Sequence, residues 1–471
     1  MDSALRQKAA GALLLILLAA AVFLPYLDRL PWAHEEPRRA IVAQEMILTG
    51  QHVQPTVCQR PYSKKPPLHN WAIALAAGRD GVVRPGEARA VSLAAFLLLG
   101  GAVYLLVRRE MPGAAPAALL ATLTNYLMAG EYSRLAEPDM LFALLTFLAY
   151  FIYMRDPARL PALALSSLCL GSAILVKGVA PLFFYPGLIL YAALRAPDRR
   201  RRLLRLALHA AMALIPPLLW AAALAGEGRL EPMLAVVAAE VAGKATGSLG
   251  AHARHLAEFP LRLFAVLLPW PALLIAARRP APARGALYWT SLYAAAIAFA
   301  LFLLAPGARE RYLLPAVPYF AIVTAHHFDA RRLVPRAAAG AWIAVTALAG
   351  IAAGAFLLAR GIVPQALILF VAATAAAAIA RRRLRWLELG LVTAGVLLLV
   401  HTHGVLFYRT TYRPATLPAA RALAGEIRPR LPVLIEPRAG LLGLAVDLEG
   451  LIGRPLHDRD AFDFDEHYLI T

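Results

Sequence analysis

The run R-A-V-S-L-A-A-F-L-L-L-G-G-A-V-Y-L-L-V-R-R, residues 89–109, decides the fold. Its eighteen residues between Arg89 and Arg108 carry no charge. As a helix rising about 1.5 Å per residue, they come close to crossing a hydrocarbon core about 30 Å thick. They lack the strict alternation of a barrel strand, and an apolar run that satisfies its backbone in lipid must then be helical. Similar Ala- and Leu-rich runs recur along all 471 residues, which are 60% hydrophobic and 16% charged. Mean hydropathy is +0.61. A soluble domain carries more charge than this. The sequence therefore reads as an all-α polytopic membrane protein.

The formal charge of +19 has the size of a nucleic-acid signal but not its distribution. Most arginines stand in short clusters between apolar runs, the positive-inside pattern, so nucleic acid is not expected as a partner and the lipid bilayer is. With the clusters taken as inside, the chain reads as thirteen spans. They fall at about residues 10–28, 89–107, 114–130, 140–154, 161–176, 180–195, 206–225, 261–277, 286–305, 312–328, 337–358, 363–380 and 386–405. No A-x-A-like cleavage site follows the first run, which is read as a retained span rather than a signal peptide. Two long outer loops, 29–88 and 226–260, interrupt residues 1–405, the expected membrane domain. From residue 406 the pattern changes: Val433-Leu434-Ile435 reads as a strand, and 406–471 as a small α+β domain outside. The acidic stretch from Asp458 to Glu466 reads as a solvated tail. Cys58 and Cys169 give no zinc spacing and no disulfide.

The outer segments hold the groups that can do chemistry. Charge kept beside a bilayer is costly and tends to mark function. Glu35 and Glu36 follow the first span, and Glu137 and Asp139 open the fourth. Carboxylates so placed can bind a divalent cation or take a proton from a hydroxyl, with His34 as a further metal ligand beside Glu35 and Asp139. The bland alternative is that they cap helix N-termini, where negative charge is favoured. Lys65 stands before Pro66-Pro67 on a stiff stem and suits a phosphate at headgroup level. Lys177, before Gly178, and the pair Arg311-Tyr312 can add to it. Arg38 and Tyr62 are grouped with this set. The bland alternatives are snorkelling lysines and an interface tyrosine. His252, His255, His401 and His403 carry weaker signals.

Several of these stretches resemble blocks of one family. E-E-P-R-R-A-I-V-A-Q-E-M-I-L-T-G, residues 35–50, resembles D-E-x-R-Y-A-E-I-A-R-E-M-L-x-S-G. P-Y-S-K-K-P-P-L-H-N-W, residues 61–71, resembles P-Y-F-E-K-P-P-L-x-Y-W. A-E-P-D-M at 136–140 resembles A-R-P-D-M, I-L-V-K-G-V-A-P at 174–181 resembles L-T-K-G-P-x-A, and R-Y-L-L-P-A-V-P at 311–318 resembles Y-L-L-P-L-Y-P. L-L-P-W at 267–270 fits as well, and the order agrees over roughly residues 30–320. These are blocks of bacterial glycosyltransferases that use polyprenyl-phosphate sugars: the aminoarabinose lipid A transferases and related protein O-mannosyltransferases, of the C-type (GT-C) membrane fold.

The resemblance implies an enzyme of the bacterial inner membrane, with its active site facing the periplasm. It would transfer a sugar from a polyprenyl-phosphate donor, with inversion, to a lipid A-like, glycan or protein acceptor. It implies catalytic roles for Glu35, Glu36 and Asp139, contact of Lys65 with the lipid phosphate, and a place for Tyr312 in the same pocket. A divalent metal ion is the one cofactor it brings into consideration. Two positions depart from the pattern. Glu35 replaces an aspartate and puts its carboxylate one methylene further out, a displacement that matters for rate. Arg39 replaces a tyrosine. Two other readings stay open from sequence: a lipid-linked sugar transporter, against which the scarcity of mid-span charge counts, and a member that binds donor without turnover. The sugar and the acceptor are not legible.

Overall fold

The computed structural model describes residues 24, 27–28, 30–77, 80–155, 158–245, 249–279, 284–380, 383–402, 417–427, 433–435, 442–458 and 468–470. The first expected span lies mostly outside these residues, as do the end of the thirteenth and the acidic tail after Asp458. The rest is mostly helical, and two of the expected outer features turn out more ordered than loops.

The chain enters a helix α1, Glu36–Thr49, opened by Pro37, whose missing N–H is no loss in a first turn. Gly50 ends it at φ +70° and returns its N–H to the Met46 carbonyl at 3.0 Å, a left-handed cap that glycine takes without strain. A short hairpin follows: β1, Thr56–Val57, antiparallel to β2, Arg60–Pro61. Its two turn residues, Cys58 and Gln59, both have positive φ, as a two-residue turn of this hand requires. Neither is glycine, so the turn needs support, and the Glu45 carboxylate supplies it by accepting the Gln59 N–H at 3.3 Å and the Thr56 hydroxyl. Helix α2, Leu68–Ala76, closes the first outer layer.

The membrane part follows. Helix α3, Pro85–Glu110, contains the deciding run. Then come α4, Ala115–Leu123, a π-helical turn Tyr126–Glu131, a 3₁₀ turn Tyr132–Arg134, and α5, Asp139–Arg155. Helix α6 is Leu160–Lys177, α7 Pro186–Leu194, α8 Arg199–Ala213 and α9 Ile215–Gly226. Helices α10, Leu230–Ala245, and α11, Leu249–Leu267, occupy the second outer segment, which was expected to be loop. Then follow α12, Trp270–Ala277, and α13, Ala286–Leu303. A 3₁₀ turn Glu310–Ala316 leads into α14, Val317–His327. Helices α15, Arg336–Leu358, α16, Val363–Ala380, and α17, Trp386–Leu399, complete the bundle.

Among the described residues, five helices are long and apolar enough to cross a membrane, or up to seven if each sharply bent pair is one span. Among these residues the count of thirteen is not confirmed: the first expected span lies mostly outside them, and several other expected runs are short or broken. Residues 126–134 meet α5 at 119°, and α11 meets α12 at 83°. Breaks of this kind are tolerated at membrane depth where protein covers the backbone. Close approach inside the bundle rests on small residues. A Cβ on Gly187 of α7 would lie 2.5 Å from the Ala294 backbone of α13, so only glycine fits.

The C-terminal segment contributes helix α18, Leu417–Glu426, strand β3, Val433–Ile435, helix α19, Leu442–Ile452, and strands β4, His457–Asp458, and β5, Tyr468–Ile470. β3 pairs in parallel with both β4 and β5. This layer shares its core with the first outer loop: Ala420, Val433, Val446 and Leu456 pack in one cluster with Ile41, Ala43, Cys58 and Ile73. Trp32 donates to Asp447 at 3.4 Å across the same seam.

One ion pair fastens the outer layer to the bundle. Glu36 of α1 and Arg89 of α3 have exposures of 0% and 1%. Arg89 meets both Glu36 oxygens at 2.7 Å and gives its remaining N–H groups to the carbonyls of Leu27, Leu30 and Pro31. Glu36 also accepts the N–H groups of Ala33 and Ala136, at 2.9 and 2.7 Å. Every donor and lone-pair direction is used, which is what makes burial of the pair tolerable. Arg89→Met strands a buried carboxylate and should cost about 3–5 kcal/mol, read as a loss of folded protein after detergent extraction. The double change Glu36→Met with Arg89→Met should be milder.

The shared core holds a second charge feature. Glu45 and Glu449 are both fully buried, and Leu456 N–H donates to Glu449 at 2.9 Å. Burial pushes the Glu45 carboxyl up to about 7. Burial and then the charge of Glu45 push Glu449 well above its ordinary range. A raised carboxyl favours the folded state most at pH below the unfolded value near 4.5, and that contribution is lost as pH rises towards the folded value. Thermal unfolding in detergent should therefore move to lower temperature between pH 5 and pH 8. The double variant Glu45→Gln, Glu449→Gln should flatten that trend.

Candidate functional site

The outer ends of α5 and α6 and the turn before α14 meet at one point. Asp139 opens α5, where the helix dipole favours a negative charge, and is 2% exposed. Lys177 closes α6, where Gly178 at φ +62° stops the helix. Lys177 Nζ lies 2.5 Å from Asp139 Oδ1, with side chains 12% and 3% exposed. The same ammonium sits 5.2 Å from the Phe142 ring and 5.4 Å from the Tyr312 ring. Such contacts lower the cost of holding a partly buried cation. Arg311 lies 5.8 Å over Tyr312 and within electrostatic reach of Asp139, Tyr132 and Glu137. The bundle thus brings together four of the residues singled out from sequence: Asp139, Lys177, Arg311 and Tyr312.

The first outer loop adds its own charges from the other side. Glu137, in the break before α5, is 2% exposed and accepts the Glu35 N–H at 3.3 Å. Burial pushes its carboxyl up to about 7, against the opposing pull of Arg39. Arg39 is 4% exposed and donates to the Tyr62 hydroxyl at 2.7 Å, with its guanidinium 5.7 Å over that ring. Tyr62 therefore reaches the site through Arg39. Glu35 pairs with Arg38 and is the most open of the four acids, its side chain 39% exposed. Glu36, tied to this group through the Ala136 N–H, has no oxygen left for a substrate. Lys65 is half-buried on the segment that joins Tyr62 to α2.

Several residues of the site carried little or no signal in the sequence reading. Arg89 could have been found: it stands at the outer end of a span, where the positive-inside pattern does not explain it. His69 is 1% exposed and neither ring nitrogen makes a hydrogen bond of ordinary geometry. Burial pulls its pKa down to about 4, so the ring is neutral, with Ala136, Arg39 and Asp139 around it. Asn70 holds the Arg39 carbonyl at 2.8 Å. Nothing in P-P-L-H-N-W marked either residue.

His34 lies apart from this group. It lines a cavity of about 190 Å³ with Trp32, Arg89, Glu131, Arg134 and His401. Glu35 pairs with Arg38 and Asp139 with Lys177. Among the described residues no group of three or more His, Cys, Asp or Glu side chains is placed to hold a metal ion. The described residues do not fit a metal site.

Residues 64–220 match the family described as dolichyl-phosphate-mannose-protein mannosyltransferase. The chain is 31% identical over 178 residues to an undecaprenyl phosphate-alpha-4-amino-4-deoxy-L-arabinose arabinosyl transferase of Pseudomonas savastanoi pv. phaseolicola, covering 36% of this chain and 32% of that protein. It is 29% identical over 341 residues to the protein of the same description from Pseudomonas paraeruginosa, covering 68% and 60%. The chain thus spans less than two thirds of the length of either relative. Crystal structures of ArnT from Cupriavidus metallidurans, in the apo state and bound to undecaprenyl phosphate, superpose with TM-scores of 0.71 and 0.70 at 21% identity. Each comparison covers 95% of this chain and 86% of that one. The chain is thus similar in part of its sequence to polyprenyl-phosphate-dependent membrane glycosyltransferases, and it shares the fold of ArnT.

Proposed function

We propose that the protein transfers a sugar from a polyprenyl-phosphate donor to a hydroxyl acceptor, with inversion, on the outer face of a bacterial inner membrane. The observation that carries this reading is the Lys177–Asp139 pair set between Phe142 and Tyr312 with Arg311 beside it. Cations on a rigid frame at one end of the bundle suit a lipid phosphate at the membrane boundary. The relatives' names give them the same donor class, and one structural neighbour holds undecaprenyl phosphate. The orientation rests on the arginines: Arg108, Arg109, Arg155 and Arg199–Arg202 lie at the helix ends opposite to the site. A glycolipid, a glycan or a protein would serve as acceptor.

The chemistry follows from the charges. The acceptor oxygen attacks the anomeric carbon from the face away from the phosphate. The bond from that carbon to the phosphate oxygen breaks, and the lipid phosphate leaves. Lys177 and Arg311, with Lys65 from the first outer loop, neutralise the leaving group, and Arg38 and Tyr62 border the donor site. The hydroxyl proton passes to a carboxylate. Glu35 is open to solvent and Asp139 is released when Lys177 turns to the phosphate, so these two are the acceptors of that proton. Glu36 serves by holding α1 in place.

Two experiments test this reading. Undecaprenyl phosphate at about a hundred times its Kd should stabilise the purified protein by about 2.7 kcal/mol, seen as a raised melting temperature. Lys177→Ala and Lys65→Ala should each remove most of that shift. In vesicles supplied with donor and acceptor lipids, Asp139→Asn should lower kcat by about 100-fold while donor binding persists. Unchanged transfer in all three variants would reject the proposal.

A further inference from the structure

We infer that the cavity beside His34 binds one sugar ring of the acceptor, a ring without anionic charge, which makes that acceptor a glycan or a glycolipid. The inference rests on the transfer reading above and narrows its acceptor class. At about 190 Å³ the cavity is smaller than the roughly 300–1,000 Å³ of sites for drug-sized ligands, and suits a single ring. Its lining includes the more open residues Trp32, His34 and Glu131, with Arg89, Arg134 and His401 buried beside them. It adjoins the reaction site: Glu35, the open carboxylate, follows His34 directly, and the Glu35 N–H donates to Glu137 at 3.3 Å.

The backbone around this cavity is unusual at three points. His34 stands at φ +53°, a left-handed conformation that glycine takes freely and histidine at a cost. Glu131 ends one π-helical turn, Tyr126–Glu131, and His401 lies in another, 400–402. Such turns and such strained residues concentrate at functional sites.

The side chains match a sugar. Trp32 is held in place by its N–H on Asp447 at 3.4 Å and by the Arg89 guanidinium 5.6 Å from its ring, so it offers a preset apolar platform for the C–H face of a ring. The Glu131 carboxylate does not cap the turn that follows it, and among the described residues neither it nor the His34 imidazole enters a hydrogen bond or ion pair. A carboxylate accepts from neighbouring hydroxyls, and an imidazole gives or takes a further hydrogen bond. An anion is poorly served here. All five N–H groups of Arg89 are spent on Glu36 and three carbonyls, and Arg134 is 2% exposed with Nη2 on the Thr402 hydroxyl at 3.0 Å. The accessible charge is the Glu131 carboxylate, which repels one.

The test uses the full-length protein in a detergent without a sugar headgroup, read by saturation-transfer NMR. The probes are methyl pyranosides of glucose, galactose, mannose and N-acetylglucosamine. Each is set against its uronate, with the isosteric uronamide separating charge from shape. At least one neutral pyranoside should bind with a Kd of about 1–10 mM, and at least about tenfold more tightly than its uronate, with the uronamide on the neutral side. Glu131→Gln and His34→Gly should each weaken it several-fold; glycine relieves the positive φ, so a weaker signal there is not a failure to fold. Binding of none of the pyranosides, or of a uronate as tightly as its neutral partner, would overturn the inference. Undecaprenyl phosphate carrying mannose or 4-amino-4-deoxyarabinose, added to saturation, should leave the pyranoside bound. Displacement would give the cavity to the donor's sugar and overturn the acceptor assignment, with the transfer reading left standing. Failure of undecaprenyl phosphate itself to bind would overturn the transfer reading and the acceptor role with it, while the pyranoside titrations still decide whether the cavity holds a sugar.

Discussion

The buried contact between Glu36 and Arg89 is the constraint on which the outer half of the molecule depends. Two charges withdrawn from water are worth keeping only if every donor and acceptor is met. Here the guanidinium gathers the chain before α1 through the carbonyls of Leu27, Leu30 and Pro31. The carboxylate gathers the backbone N–H groups of Ala33 and Ala136. Three separate stretches are thereby set in register. Ala136 stands one residue before Glu137 and three before Asp139. The pair thus positions the two acids of the site without facing the substrate itself.

The site has a consistent electrostatic character. Each of its acids is matched to a cation or to backbone donors, and Arg39, Lys177 and Arg311 are backed by aromatic rings. In a partly desolvated pocket such pairing is what allows charge to stay ionised. A phosphate entering it competes for cations that are already held in place and needs little rearrangement of the frame. In the proposed reaction, Lys177 would pass from Asp139 to the lipid phosphate.

The C-terminal layer bears on this frame from outside. Its helix α19 packs on α1, and its small parallel sheet shares a core with the hairpin that carries Tyr62. Glu45, at the far end of α1, supports the strained turn of that hairpin, and Glu449 lies against it in electrostatic reach. The layer, the hairpin and the Arg39–Tyr62 contact therefore form one mechanical unit, joined through a core that contains two acids and, for Glu449, one oxygen without a partner.

Much of this was legible in the order of residues. Long uncharged runs such as 90–107 must be helices in lipid because no other open structure satisfies their backbone. Of the blocks around Glu35, Lys65, Asp139, Lys177 and Arg311, the structure brings Asp139, Lys177 and Arg311 together. Helices α10 and α11 were hidden, since their polar faces read as loop, and so were the breaks near Glu131 and Leu267, where hydropathy continues while direction changes. What only the tertiary structure decided is which charge meets which. Glu35 and Glu36 are adjacent in sequence, yet one is open beside Arg38 and the other sealed against Arg89. That difference arises from packing between elements more than 50 residues apart, and residue type and spacing carry no information about it.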